Sequence, residues 1–126
     1  MNIIKNNFNV IRKDIPSNVK LVAVSKTKTE KELLEAYECG QRIFGENKIQ
    51  EMSSKFENLP KDIEWHMIGH VQTNKVKYMA PFVHTIHSVD RIKLLNEIQK
   101  QALINDRIIE CLIQVRIAVE ETKFGI

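Results

Sequence analysis

Residues 20–40 read KLVAVSKTKTEKELLEAYECG, and this stretch decides the fold. Its first part, residues 20–25, is a short run of Val and Leu with little alternation, which is typical of a strand buried on both faces. Thr29 and Glu32 then have the spacing of a capping box, and Gly40 stands where a helix is expected to end. The stretch therefore predicts a strand, a short loop and a helix, the repeating unit of a parallel α/β sheet.

The same unit recurs along the chain. Further apolar runs that predict strands lie at residues 42–45, 63–68, 82–86 and 108–115. One helix is predicted between each pair of strands, and the residues expected to start these helices are Thr29, Asn47, Thr73 or Asn74, and Asp90. An amphipathic helix over residues 2–13 precedes the first strand. We expect residues 1–126 to form a single domain.

Two architectures satisfy this strict alternation. One is an open doubly wound sheet and the other is a (β/α)8 barrel. The strands recur about every 20–26 residues, which suits a barrel whose usual length is about 250 residues. On that interpretation the chain holds about half of the barrel.

Composition sets broad limits on function. With 43% hydrophobic and 28% charged residues and a net charge of +3, the chain is expected to be globular. Its lysines are scattered, so we predict no nucleic-acid partner. No apolar run reaches the roughly 18 residues that span a bilayer, and no secretory segment opens the chain. Cys39 and Cys111 lack a CxxC spacing, so we expect two reduced, buried thiols in a cytoplasmic protein without a membrane partner.

Lys26 is the first candidate for chemistry, because it stands at the end of the apolar run 21–24. In both candidate folds the active site lies at the carboxyl ends of the strands. Partial burial lowers the pKa of a lysine, and a neutral amine attacks an aldehyde. The alternative is a lysine that simply extends into solvent from a strand end. Sequence position alone leaves both interpretations open.

Other strand ends carry polar and small residues for which a structural role is the simpler interpretation and a functional role the alternative. Gly45 and Gly69 would let a ligand approach the backbone or would just make turns. Asn47 would contact a ligand or act as a helix N-cap. His66 lies within a predicted strand, where a hydrogen-bonded core histidine is the more usual outcome.

The histidines raise the question of a metal site. His66 and His70 are four residues apart, and His84 and His87 are three apart. The first pair straddles a strand and a loop, so helical i,i+4 geometry does not apply to it. No acidic or cysteine partner stands out near these residues in the sequence. We therefore predict no metal site.

Several strand-end motifs, taken in order, resemble the pyridoxal 5'-phosphate (PLP) homeostasis proteins, which are related in fold to the barrel domain of alanine racemase. Each motif is weak alone, but their common order makes the resemblance specific over residues 20–126. The matching stretches are LVAVSKT at 21–27, FGEN at 44–47 with QE at 50–51, WHMIG at 65–69 with QTNK at 72–75, HSVD at 87–90 and ETKFGI at 121–126.

The resemblance implies a fold, a cofactor and a function. The fold would be α/β of the (β/α)8 TIM-barrel type, like the alanine racemase N-terminal domain, with about the first half present as five parallel strands. Lys26 would hold PLP as a Schiff base, and Asn47 with the strand containing His66 and Ile68 would line the pocket beside the cofactor ring. Members of the family are regarded as carriers or regulators of PLP supply and not as enzymes with a settled reaction, so the resemblance implies a non-enzymatic protein whose partners would be apo forms of PLP-dependent enzymes.

Two departures from the family accompany the resemblance. Arg116 stands where many relatives carry Asn, in the stretch QVRI at 114–117. Relatives are also about twice as long, and the residues that grip the PLP phosphate lie in the half that this chain lacks. The chain stops within a matching motif at residues 124–126, so we expect a truncated protein in which PLP binding is impaired.

Two alternative functions remain. A PLP-dependent racemase needs a second acid or base on the opposite face of the cofactor, often a tyrosine, but Tyr37 and Tyr78 are predicted on outer helices. A half-barrel without a competent cofactor site is the other alternative. Because a half-barrel leaves two sheet edges and an inner face uncovered, we expect a homo-oligomer.

Overall fold

The computed structural model describes residues 3–117, in which five strands alternate with helices. The motif at 121–126 lies outside the described residues. The helices are α1 (Ile3–Asp14), α2 (Glu30–Glu38), α3 (Ile49–Asn58), α4 (Val76–Met79) and α5 (Ile92–Ile104), with a 3₁₀ turn at Thr73–Lys75. The strands are β1 (Ala23–Val24), β2 (Ile43–Glu46), β3 (Glu64–Met67), β4 (Thr85–Val89) and β5 (Glu110–Ile113).

The sheet topology decides between the two candidate architectures. All four strand pairs are parallel, and the strand order is β1-β2-β3-β4-β5. A doubly wound sheet reverses its strand order at a switch point, whereas each strand of a barrel pairs with the next one along the chain. The described residues contain no reversal, so the barrel-type fold is confirmed, with five of its strands.

The hydrophobic core lies between the sheet and the helices. Phe44, Trp65 and Ile86 point from β2, β3 and β4 into this layer, where each is at most 1% exposed. Met52 of α3 and Leu94 of α5 meet them from the helix side and are fully buried. The opposite face of the sheet, which would face the barrel interior, is less covered. We call it the inner face; its Val24 is 56% exposed.

Helix α2 is bounded as the sequence predicts. The Thr29 hydroxyl accepts from the Glu32 amide, and the Glu32 carboxylate accepts from the Thr29 amide, which completes the capping box. The helix ends before Gly40, whose φ of 97° is the left-handed conformation that glycine adopts without a steric penalty. The capping box and Gly40 were therefore sufficient to predict both ends of α2.

Two predicted N-caps are wrong. The residue before α3 is Lys48 and not Asn47, and the residue before α5 is Arg91 and not Asp90; neither side chain makes a capping bond. The Asp90 carboxylate is instead engaged by Arg91 at 2.6 Å and by His70 at 3.4 Å. A charged partner therefore competes successfully with the helix terminus for this carboxylate.

The third predicted helix is shorter than its pattern indicates. The predicted start at Thr73 or Asn74 is the 3₁₀ turn, and α4 proper has only four residues. Pro81 directly follows Ala80, the C-cap residue of α4, and lacks the amide hydrogen that a longer helix would need at this position.

Cys39 and Cys111 are free and half-buried, which is less burial than predicted. None of the helices within residues 3–117 is long and apolar enough to cross a membrane.

Candidate functional site

Three of the four residues predicted to contact a cofactor stand level with one another at the carboxyl edge of the sheet. Val24 pairs with Gly45, and Gly45 pairs with His66. The residues two positions further along these strands are Lys26, Asn47 and Ile68. The ladder continues to that level, since the amide of Ile68 donates to the carbonyl of Glu46 at 2.9 Å. Continuing the register therefore places Lys26, Asn47 and Ile68 at the ends of three neighbouring strands.

Lys26 is exposed, in a turn directly after β1. Among the described residues, no hydrogen bond or ion pair engages its ammonium group. The partial burial expected from the sequence is absent, because the inner face beside β1 is uncovered. The next residue, Thr27, has a φ of 63°, which is a strained conformation for a β-branched residue. Strain of this kind persists only where surrounding contacts impose it.

Those contacts clamp the backbone on both sides of Lys26. The carbonyl of Ser25 accepts from Lys55 Nζ at 2.9 Å, and the Ser25 hydroxyl donates to the Glu46 carboxylate. The amide of Thr27 donates to Glu51 Oε2 at 2.8 Å. Lys26 itself takes no part in this network. Its side chain is thus left available while its backbone is fixed.

Lys55 connects the whole clamp. Its ammonium lies 2.9 Å from Glu46 Oε2 and 2.8 Å from Glu51 Oε2, and its side chain is only 6% exposed. The hydrogen bond from Lys55 is the main cause that holds the pKa of Glu51 below its ordinary value. We call Ser25, Glu46, Glu51 and Lys55 the lysine clamp. Because an unpaired charge at such a depth is costly, the four groups depend on one another.

The sequence analysis missed this clamp, although two signals pointed to it. Glu51 and Lys55 have the i,i+4 spacing of a helical ion pair. Lys55 also lies three residues after Met52, a spacing that places both side chains on one face of a helix. A lysine on a buried helix face needs a buried partner, and Glu46 of the neighbouring strand supplies it.

A second polar group lies on the inner face, nearer the amino ends of the strands. His66 Nε2 is 2.7 Å from Glu64 Oε2, and His84 Nε2 is 3.4 Å from Glu64 Oε1. His66 Nδ1 is 2.8 Å from His87 Nε2, and the rings of His66 and His84 stack at 5.6 Å. We call Glu64, His66, His84 and His87 the histidine cluster.

Burial and mutual contact shift the pKa values in the histidine cluster. Burial lowers the pKa of His66, and the hydrogen bond to Glu64 opposes this effect. Burial also lowers the pKa of His87, with a further contribution from the charge of His66. Burial alone would raise the pKa of Glu64, but its bonds to His66 and Lys20 and the charge of His84 hold it below its ordinary value. These shifts favour a neutral His66 imidazole beside an ionised Glu64 carboxylate.

The expectation that no acidic partner lies near the histidines is wrong. Glu64 is two residues before His66, and residues of one strand separated by two project to the same face. The prediction of a hydrogen-bonded histidine within β3 is confirmed, since both ring nitrogens of His66 have partners. The sequence could not show that His84 and His87 of the next strand join the same group.

Gly45 and Gly69 both allow close packing at the carboxyl edge. A Cβ at Gly45 would lie 3.0 Å from a methyl group of Val22 and 3.2 Å from Ile68. A Cβ at Gly69 would collide with both the side chain and the backbone carbonyl of Asn47. Gly69 therefore lets β3 end directly against Asn47, which explains why this asparagine is held beside the sheet and does not cap α3.

The two tyrosines lie away from Lys26, as predicted. Tyr37 Oη donates to Asp62 at 2.6 Å, and Asp62 precedes β3 at the amino end of the sheet. Tyr78 lies on α4 and is 55% exposed. The described residues thus offer no tyrosine near Lys26.

A sequentially ordered parallel sheet, outer helices and a lysine at the carboxyl end of the first strand define an α/β barrel protein with a candidate amine site. Comparison with known proteins specifies the class. The family model described as "Alanine racemase, N-terminal domain" matches residues 1–125. The chain belongs to this family.

Two curated relatives have the same name. A pyridoxal phosphate homeostasis protein from Aquifex aeolicus is 47% identical over 108 residues, covering 85% of this chain and 47% of the relative. One from Haemophilus influenzae is 38% identical over 136 residues, covering 98% of this chain and 57% of the relative. The chain therefore spans about half the length of the curated relatives it matches.

Solved structures agree with this fold. PipY of Synechococcus elongatus without PLP is 34% identical and superposes with a TM-score of 0.89, covering 97% of this chain and 58% of that protein. The structure of PipY with PLP bound gives a TM-score of 0.86 over 93% of this chain and 56% of that protein. The prediction of an alanine racemase-like barrel, present in its first part only, is confirmed.

Proposed function

We propose that this chain is a PLP-binding protein of intracellular vitamin B6 homeostasis and that Lys26 is its cofactor lysine. The observation that carries the proposal is the position of Lys26 at the carboxyl edge of β1, with an unengaged ammonium and a backbone fixed by the lysine clamp. The names of the relatives and the PLP-bound PipY support this assignment.

The residues around Lys26 suit the aldehyde and the ring of PLP. PLP, when bound, supplies an aldehyde that condenses reversibly with a lysine amine. Gly45 and Gly69 keep side chains out of the space beside Asn47 and Ile68, since a Cβ at either position would meet its neighbours. This leaves a surface with one amide, one aliphatic side chain and one amine, which fits a polar aromatic ring next to Lys26.

The chain's own residues then have separate tasks. The lysine clamp fixes the direction in which the chain leaves β1 and so positions the Lys26 amine. Asn47 offers an amide for hydrogen bonding, and Ile68 offers apolar contact. His66 lies one level deeper, and its ring nitrogens are occupied by Glu64 and His87. His66 would therefore support the floor of the site, beneath Ile68.

We propose that residues 1–126 are the amino-terminal half of one barrel domain. Phosphate contacts normally anchor this cofactor, and on our interpretation they belong to the other half. The half-barrel should consequently hold PLP more weakly than a complete barrel. The partners we propose are apo forms of PLP-dependent enzymes in the cytoplasm.

The proposal is tested by titrating the chain with PLP and recording the visible absorbance. We expect a saturable spectral change that Lys26→Ala abolishes. Lys28→Ala is the matched control, because Lys28 is exposed in the same loop and should leave the change intact. Equal spectral changes in the wild type and Lys26→Ala would refute the assignment of Lys26.

A carrier is favoured over a racemase by the positions of the tyrosines. Racemisation needs a second acid or base near the cofactor. Tyr37 is bound to Asp62 at the other end of the sheet, and Tyr78 lies on an outer helix. We expect no sustained racemisation when the chain is incubated with PLP and either enantiomer of alanine. Turnover of alanine would overturn the carrier assignment.

A further inference from the structure

The histidine cluster has the composition and spacing of a transition-metal site. Glu64, His66 and His84 each offer one ligand atom, and these atoms lie within 4.8 Å of one another. Donors around a tetrahedral zinc ion are separated by about 3.3 Å, given zinc–nitrogen distances of about 2.0–2.1 Å. His66 Nε2 lies 2.7 Å from Glu64 Oε2 and His84 Nε2 lies 3.4 Å from Glu64 Oε1, so small side-chain shifts would bring one donor of each residue to this spacing. We propose that Glu64, His66 and His84 bind a zinc ion.

The orientation of both histidines supports this site independently of the distances. Metal-binding histidines almost always have their second ring nitrogen held by another group. His66 Nδ1 lies 2.8 Å from His87 Nε2, and His84 Nδ1 lies 2.6 Å from the Thr85 hydroxyl. These contacts leave the Nε2 atoms of both rings directed at Glu64.

Zinc binding needs no net release of protons from the histidine pair. An ionised Glu64 carboxylate can only accept, so without metal a neutral His66 donates from Nε2–H to Glu64, and its Nδ1 then accepts from His87 Nε2–H. With zinc on His66 Nε2, the proton of His66 is carried by Nδ1 and donated to His87 Nε2, while His87 carries its proton on Nδ1. Each ring keeps one proton. His87 thus acts as a positioning residue that accommodates the change of tautomer.

The three ligand side chains are partly buried, but the site remains open to solvent. The side chains of His66, Glu64 and His84 are 6%, 22% and 38% exposed, so coordination does not require His66 to reach solvent. Three protein ligands leave a fourth position for water, as in zinc sites that are open to small molecules. The site is separate from Lys26, because Glu64 begins β3 at the amino end of the sheet.

Lys20 is the natural competitor for this site. Its ammonium lies 3.3 Å from Glu64 Oε2, the oxygen that also contacts His66, and its side chain is 60% exposed. A zinc ion would have to displace this ammonium from Glu64. Removing the lysine should therefore strengthen zinc binding, which a merely structural histidine cluster would not explain.

The test is a titration of the metal-depleted chain with zinc in competition with a chromophoric chelator. We expect one zinc ion per chain, with at least tenfold weaker binding for His66→Gln and His84→Gln and tighter binding for Lys20→Met. His87→Gln should weaken binding by about 10–100-fold, the usual effect of removing a group that holds a metal ligand. Circular dichroism checks that each variant is folded.

His70→Gln is the matched control, because His70 is the one histidine outside the cluster. It should bind zinc as the wild type does, as should Lys26→Ala. Cobalt substitution adds a spectroscopic check, since tetrahedral coordination by His66 and His84 should give strong visible absorption. Unchanged affinity in both His66→Gln and His84→Gln, or an equal loss in His70→Gln, would overturn the zinc site.

Discussion

At the scale of single residues, Lys55 is the side chain on which the candidate site depends most. Its ammonium joins Glu46, Glu51 and the carbonyl of Ser25. Glu46 is fully buried, and its Oε1 has no partner, so its charge is compensated through Oε2 alone. Lys55 thus links the stability of the sheet to the conformation of the loop that carries Lys26.

We predict that Lys55→Met destabilises the fold by about 3–5 kcal/mol, because it leaves a buried carboxylate without its cation. Urea denaturation measures the change. Lys31→Met is the control, since Lys31 is exposed on α2 and should shift the free energy of unfolding by less than about 0.5 kcal/mol. Equal losses in the two variants would show that the buried ion pair contributes nothing specific.

Glu51 gives the lysine clamp a dependence on pH. Its pKa in the folded chain lies below the ordinary value of 4.5, mainly because of Lys55. The stabilisation is therefore fully present above pH 4.5 and is lost as the pH falls through the lower folded value. We predict that Glu51→Gln makes the free energy of unfolding less dependent on pH in this acidic range. Glu57→Gln, on the exposed side of α3, should keep the wild-type slope.

At the scale of elements, the contact between the end of β3 and the residue after β2 is set by Gly69. We predict that Gly69→Ala destabilises the chain by about 1–3 kcal/mol through overpacking. Asn47→Ala should not rescue it, because the added Cβ also meets the backbone carbonyl of Asn47. Thermal unfolding of the two single variants and the double variant measures this. Full rescue in the double variant would mean that only the side chain of Asn47 resists the substitution.

Elements with strong local signals could be predicted from the sequence. The five strands, the capping box of α2 and the left-handed Gly40 follow from patterns within a few residues. The N-caps of α3 and α5 could not, because Asp90 binds Arg91 and His70, and Asn47 packs against Gly69. Such choices depend on tertiary contacts, and His70 and Gly69 lie about 20 positions from Asp90 and Asn47 along the chain.

The candidate site, too, could be predicted from the sequence only in part. Lys26 could be singled out because strand ends carry function in parallel α/β folds. The lysine clamp and the histidine cluster could not be assembled, since each joins side chains from several elements. Their local signals, the Glu51–Lys55 spacing and the Glu64–His66 alternation, identify parts of each group but not the partners.

At the scale of the whole molecule, the described residues leave β1 and β5 as sheet edges and the inner face without a covering layer. Leu112 and Ile113 on β5 are 47% and 48% exposed. Unpaired edges that carry apolar side chains favour association with another chain. The exposed edges and inner face of the half-barrel thus favour self-association.

We predict that analytical ultracentrifugation finds a species heavier than the 14.7 kDa monomer. Leu112→Lys should shift the equilibrium towards the monomer, because a charge on an edge strand opposes pairing. Lys93→Met, on the exposed part of α5, serves as the control and should not alter association. A wild-type chain that stays monomeric at all concentrations would contradict the prediction.

The central claim is that Lys26 is the residue that holds PLP, and reductive trapping tests it most directly. The chain is incubated with PLP, treated with borohydride and digested, and the modified peptide is identified by mass spectrometry. We predict that the added mass lies predominantly on Lys26, with the exposed Lys28 and Lys48 far less modified. Equal labelling of these three lysines, or undiminished labelling of the chain after Lys26→Ala, would contradict the assignment.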